Sequence, residues 1–254
     1  MPTALVIGAS RGLGRELAKS LRTRGFEVFA TIRLENIAAA ELPSDIKIIP
    51  NIDLAQEDAG AKLVKGLGSQ KLDLVLVNAG ILKAETFDAP NFADEVEMYK
   101  VVSIAPVFIA HHLVKANLFA SPSKFILITS EGGSITLRTR EEGGGMYGHH
   151  GSKAAANMAG KLLAHDLYDK GVIVTMIHPG FMKTDMTKGV GFDKFYESGG
   201  AVTPEIAAAT TLDFVETLTL EQTGTFWAPR GPRDVGEAER VLGKNLPTPL
   251  PLPW

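Results

Sequence analysis

"VIGASRGLG", Val6–Gly14, decides how the rest of the chain is read. It follows a short apolar run and opens a helical pattern, with glycines at 8, 12 and 14 in the spacing G-x-x-x-G-x-G. Glycine allows a positive φ in the turn and close approach of the backbone to a ligand, and a helix N-terminus offers free N–H groups to a pyrophosphate. A glycine loop in the first turn of a βαβ unit is the expected dinucleotide site.

Working outward, strand-like runs recur at Ala4–Ile7, Glu27–Ile32, Ile46–Ile49, Leu72–Val77, Phe125–Thr129 and Val172–Ile177. They barely alternate between apolar and polar, as expected of parallel strands buried on both faces. Helical patterns fall near Gly12–Arg24, Gln56–Leu67, Asp94–Leu118, His149–Asp169 and Pro204–Leu218, the last with Thr203 as N-cap and Pro204 at its first position. This alternation predicts an α/β fold: a Rossmann-type doubly wound parallel β-sheet of about seven strands, with helices on both faces. No linker or repeat divides it, so residues 1–254 are expected to form a single domain. The tail 230–254 ends in LPTPLPLPW and is expected to be extended, with Trp254 packed on the body or on another subunit.

A net charge of −3 makes no case for nucleic acid or anionic membrane. The absence of cysteine excludes disulfides and thiolate catalysis, and the histidine spacing supports no metal site. MPTALVIGAS lacks the pattern of a secretory signal, and no apolar run is long enough to span a bilayer, so a cytoplasmic protein is expected.

Three further motifs lie in order behind the glycine loop: VNAG at Val77–Gly80, SK at Ser152–Lys153 and HPG at His178–Gly180. With them the chain resembles the short-chain dehydrogenase/reductase family over roughly residues 3 to 230. GTF near Gly224 and the closing LPW further resemble its C-factor-like branch. The resemblance implies that Gly8, Ser10, Arg11, Gly12, Leu13 and Gly14 hold the phosphates and adenosine ribose. It places Asp53 on the adenine amino group with Leu54 beside it, and Asn78, Ala79 and Gly80 along the adenosine and ribose. Pro179, Gly180, Met182 and Thr184 would hold the nicotinamide carboxamide, and the chain would form a homodimer or homotetramer. Where a 2′-hydroxyl is read by a carboxylate, FATIRLEN carries Arg33, with Glu35 two positions later, and Arg11 is a second cation in reach. A guanidinium grips phosphate through two N–H groups, which favours NADP(H) over NAD.

In that family a tyrosine transfers the proton, a lysine four residues on lowers its pKa and holds the ribose, a serine orients the substrate, and an asparagine fixes a relay water. Ser130 and Lys153 match the serine and the lysine. His149 falls at the tyrosine and Val102 at the asparagine. His149 and Lys153 share a helical face, and an imidazole there suits acid/base or substrate-binding work. Tyr147 is a candidate substitute only if GGGMYG remains loop. His150 is expected to face solvent, and the charges of LRTREEGGG, Leu137–Gly145, to be solvated on a mobile rim. The substrate loop, about 181–200, is rich in Met, Phe and Tyr, which suits a small, mostly apolar substrate.

Three functions remain open. The first is an NADP(H)-dependent oxidoreductase with an atypical site, reducing a carbonyl, iminium or activated alkene. The second is a non-redox cyclase, isomerase or dehydratase with bound cofactor, and the third a catalytically silent NADP-binding regulator.

Overall fold

In a computed structural model, which describes residues 1–33 and 41–254, the apolar runs become one sheet. In chain order the strands are β1 (Thr3–Ile7), β2 (Glu27–Thr31), β3 (Lys47–Ile49), β4 (Leu72–Val77), β5 (Phe119–Ile128), β6 (Val172–Ile177), β7 (Thr225–Ala228) and β8 (Leu250–Pro251). Their spatial order is β3-β2-β1-β4-β5-β6-β7-β8, eight strands where the sequence pattern suggests about seven, and every pairing but β7–β8 is parallel. β1 and β6 are buried along their whole length, which is why they read as unbroken apolar runs.

Helices cover both faces: α1 (Gly12–Thr23), α2 (Ala59–Leu67), α3 (Phe92–Tyr99), α4 (Ala105–Lys115), α5 (Tyr147–Leu167), α6 (Asp185–Gly189), α7 (Pro204–Thr217) and α8 (Ala238–Leu242). One apolar layer, with Leu63, Ile109 and Leu163, lies under α2, α4 and α5. The other, with Leu17, Leu21 and Leu212, lies under α1 and α7.

Two expectations need correction. The single helix expected over Asp94–Leu118 is interrupted by a π-helical turn, Lys100–Ile104, between α3 and α4. Pro106 explains it: proline lacks an N–H and its ring crowds the carbonyl four residues back. The ladder widens to i→i−5 instead, with the Ala105 N–H donating to Lys100 O. The tail beyond Arg230 is not extended throughout: Gly231–Asp234 is a 3₁₀ turn and α8 follows. Its prolines cluster only after Leu246, which leaves the helix-favouring AERVL free to coil. Trp254 does pack on the body, stacked on Phe226 with ring centroids 5.9 Å apart.

The strand order reverses between β1 and β4, and that is where an α/β sheet opens a crevice at the carboxyl ends of its strands.

Candidate active site

A cleft of about 1320 Å³ opens there, walled by the segments following β1, β4, β5 and β6 and by the start of α5. At its phosphate end the backbone folds tightly. Gly8 N–H donates to Thr31 Oγ1 at 3.0 Å, and the Asn78 side-chain amide donates to Gly8 O at 3.0 Å. A Cβ on Gly14 would sit 2.0 Å from Gly8 O, and one on Gly8 would sit 2.7 Å from Ala79 Cα. Among the described residues Arg11 caps α1 with no side-chain bond and the first turn holds no acid, which leaves its N–H groups open to an anion. This glycine cradle and bare helix end fit the pyrophosphate of a dinucleotide.

Of the residues expected to bind cofactor, Arg11, Gly12, Leu13, Asn78, Gly80, Lys153, Pro179, Gly180, Met182 and Thr184 line the cleft. Gly8, Ser10, Gly14 and Ala79 are not among its lining residues. Asp53 and Leu54 lie off the lining too: Asp53 Oδ1 accepts from Ala55 N–H at 3.0 Å, and Leu54 is buried in the core. Arg33 is exposed past the end of β2 and does not line the cleft, and Glu35 lies outside the described residues. Thr184 is engaged as the N-cap of α6, its hydroxyl accepting from Thr187 N–H at 3.2 Å. In the substrate loop the Phe181 ring lies 5.7 Å from that of Tyr196, whose hydroxyl donates to Thr184 O at 3.1 Å.

The chemical groups converge from β5 and α5. Ser130 lies two residues past β5, and its Oγ accepts from Gly132 N–H at 3.1 Å. Lys153 is buried and donates to Ile128 O at 2.9 Å. Burial pushes its pKa down to about 8. His149 lines the cleft one helical turn earlier, with its Nδ1 buried and unpartnered among the described residues. Burial first, and the Lys153 ammonium next, push its pKa down to about 3, so the imidazole is neutral at pH 7. Val102 is buried in the π-helical turn. Tyr147 is the first residue of α5 rather than loop, 41% exposed on the cleft wall. Two positions from His149, it does not share the helical face of Lys153.

His150 does not face solvent. Its Nδ1 lies 3.1 Å from Met146 O, and because a carbonyl only accepts, Nδ1 carries the hydrogen. That leaves Nε2 to accept from Arg138 Nη1 at 3.4 Å. Arg138 also pairs with Glu131 and, at 3.2 Å, with Glu142. The charged insertion is therefore tied down rather than loose, because one guanidinium fork serves two carboxylates and a ring nitrogen.

Two residues given no role by the sequence pattern, His178 and Asp234, complete the walls. His178 Nε2 donates to Asp234 O at 3.0 Å, and the Asp234 carboxylate packs against Gly180 and pairs with Arg230 at 2.9 Å. Burial pushes the Asp234 pKa up, against the pull of Arg230. Nothing in the local pattern of GPRDVGE marks Asp234, since its role depends on β7 delivering that turn to the cleft.

A glycine-cradled crevice at the sheet's switch point, with a serine and a buried lysine on adjoining elements, defines a nucleotide-dependent α/β enzyme. The profile of the short chain dehydrogenase family matches residues 2–194, and the chain belongs to that family. A 1-hydroxy-2-glutathionyl-2-methyl-3-butene dehydrogenase of Rhodococcus sp. (strain AD45) is 31% identical over 232 residues, covering 89% of this chain and 96% of the relative. Among solved structures, NADPH-bound carbonyl reductase from chicken fatty liver is 26% identical with a TM-score of 0.76, over 90% of this chain and 96% of that one. Carbonyl reductase Sniffer of D. melanogaster is also 26% identical, with a TM-score of 0.76 over the full length of both chains.

Proposed function

We propose that the chain is an NADP(H)-dependent, C-factor-like reductase of this family with an atypical site, acting on a carbonyl, iminium or activated alkene of a small, mostly apolar molecule. The observation that carries the reading is the coexistence in one cleft of an intact dinucleotide cradle with Ser130, His149 and Lys153. The free N–H groups of α1 and Arg11 suit the phosphates, and Gly80, Lys153 and the Pro179–Thr184 segment suit the nicotinamide half. The NADPH bound by the chicken-liver reductase supports the choice of cofactor. NADPH, when bound, supplies the hydride.

The residues of the chain manage the oxygen and its proton. Ser130 Oγ already accepts from Gly132, which leaves its hydrogen free to donate to a substrate oxygen. His149 is almost never in its protonated, acid form at pH 7, because its pKa is pushed down to about 3. Lys153, at about 8, is protonated roughly ten to one at that pH and is the better donor, directly or through a water. His149 then acts as a neutral hydrogen-bonding wall. The packed Phe181–Tyr196 loop suits an apolar substrate.

The same reading makes the chain a cytoplasmic homo-oligomer, with exposed Ile104, Phe108, Met158 and Leu162 as its pairing face. Sedimentation equilibrium tests this. Among the described residues no helix is long and apolar enough to cross a membrane.

The functional test is NADPH absorbance followed against a panel of carbonyls, iminium compounds and enones. Loss of the reduced-nicotinamide band with product formation supports reduction. Product formation at constant absorbance replaces it with a cyclase, isomerase or dehydratase reading. NADPH binding with no turnover of any substrate leaves a regulator.

A further inference from the structure

Helix α5, which carries His149 and Lys153, starts without a cap of its own. Its N-cap residue, Met146, lies in the left-handed region at φ 55° and makes no side-chain capping bond. The N–H groups of a first helical turn need acceptors from elsewhere. Here they come from Glu85, 63 residues earlier and 7% exposed. Its main-chain carbonyl accepts from Met146 N–H at 3.0 Å, and its Oε1 accepts from Gly148 N–H at 2.5 Å. Its other oxygen, Oε2, accepts from Asn91 N–H at 3.3 Å, just ahead of α3. A carboxylate in this position also meets the positive end of the helix dipole.

The fit leaves no slack. A Cβ on Gly148 would fall 2.3 Å from Met98 Cε, 3.1 Å from Glu85 Oε1 and 3.1 Å from Glu95 Cα. The Glu95 carboxyl lies near that of Glu85, and burial first, then the Glu85 charge, raises its pKa. The residue after Gly148 is His149, and five residues before Glu85 is Gly80, on the cleft wall.

We propose that Glu85 is a positioning residue of the active site: by holding the Gly148 N–H it sets where His149 stands, and it ties the start of α5 to the Gly80–Leu82 wall. The functional part of this rests on the cleft being the reductase site, whereas the placement of His149 does not.

The test compares Glu85→Ala and Glu85→Gln in protein labelled at histidine ¹³Cε1. Glu85→Ala is expected to shift or broaden the His149 ring resonance while those of His111, His112 and His165 stay in place. The same variant lowers kcat about tenfold or more, as sub-ångström to ångström misplacement does, with the NADPH dissociation constant within about twofold of wild type. Glu85→Gln keeps a carbonyl acceptor for Gly148 and is expected to restore the resonance and most of kcat. If Glu85→Ala does not fold, Glu85→Asp, one methylene shorter, poses the same question. An unmoved His149 resonance overturns the proposal. So does a Glu85→Gln variant as impaired as Glu85→Ala. If no substrate is turned over by wild type, the resonance comparison still decides the placement, and only the reductase reading fails.

Discussion

The ionisation of His149 can be measured through stability. Its pKa falls from 6.5 to about 3 on folding, a difference of about 3.5 units or roughly 5 kcal/mol between charged and neutral forms. The unfolded chain binds a proton at this residue below pH 6.5, and the folded chain does not until about pH 3. Stability is therefore lost as the pH falls through that window, by about 1.4 kcal/mol per unit. Glutamine at 149 is neutral at every pH and has similar reach. Relative to wild type, His149→Gln is expected to gain roughly 2 kcal/mol between pH 6.5 and 4.5, an appreciable part of the typical 5–15 kcal/mol. Urea unfolding at four pH values from 7.5 to 4.5 provides the comparison, and subtracting the two proteins cancels the carboxylates they share. The difference between them should be flat above pH 6.5 and should open below it. A constant difference across the range, within about 0.5 kcal/mol, would refute the burial of a neutral imidazole, and with it the demotion of His149 as proton donor.

Other outcomes follow from the same geometry. Lys153→Met removes an ammonium whose burial costs stability below pH 8 and is relieved between 8 and 10.5, so the variant should be up to about 3 kcal/mol more stable at pH 7. The lost bond to Ile128 O reduces that gain, and NADPH fluorescence titration should show weakened binding. Gly14→Ala drives a Cβ into Gly8 O and the Asn78 amide, and should cost at least about 2 kcal/mol in urea unfolding and abolish NADPH binding. Arg138→Ala releases Glu131 and Glu142, which should cost about 1 kcal/mol or less and speed tryptic cleavage after Arg140.

The phosphate end of the site was legible because its physics is local. Gly8, Gly12 and Gly14 lie within one short loop, and a Cβ at Gly8 or Gly14 would collide with neighbouring backbone. The parallel sheet was legible because burial on both faces erases alternation in β1 and β6. The chemistry was less so. His150 and Arg138 lie twelve residues apart on different elements, and nothing in either stretch reveals that one bonds the other. Glu85 resembles any polar loop residue until the fold brings Gly148 to it. The break in the long helix had a local cause, Pro106, yet whether a proline ends, kinks or widens a helix depends on the sheet beneath it. The ionisation of His149 and Lys153 depends on burial, which no spacing of residues specifies.

The antiparallel strand β8 pairs with the outer side of β7 through Trp227–Pro251 and Ala228–Leu250. Pro251 on it and Pro249 and Pro253 flanking it alternate, and none has an N–H to offer on its far side. An open strand edge invites another chain to extend the sheet, the first step towards fibrous aggregates. On this flank the molecule presents a strand that cannot donate at alternate positions, so copies of the chain that meet there have no main-chain ladder to build.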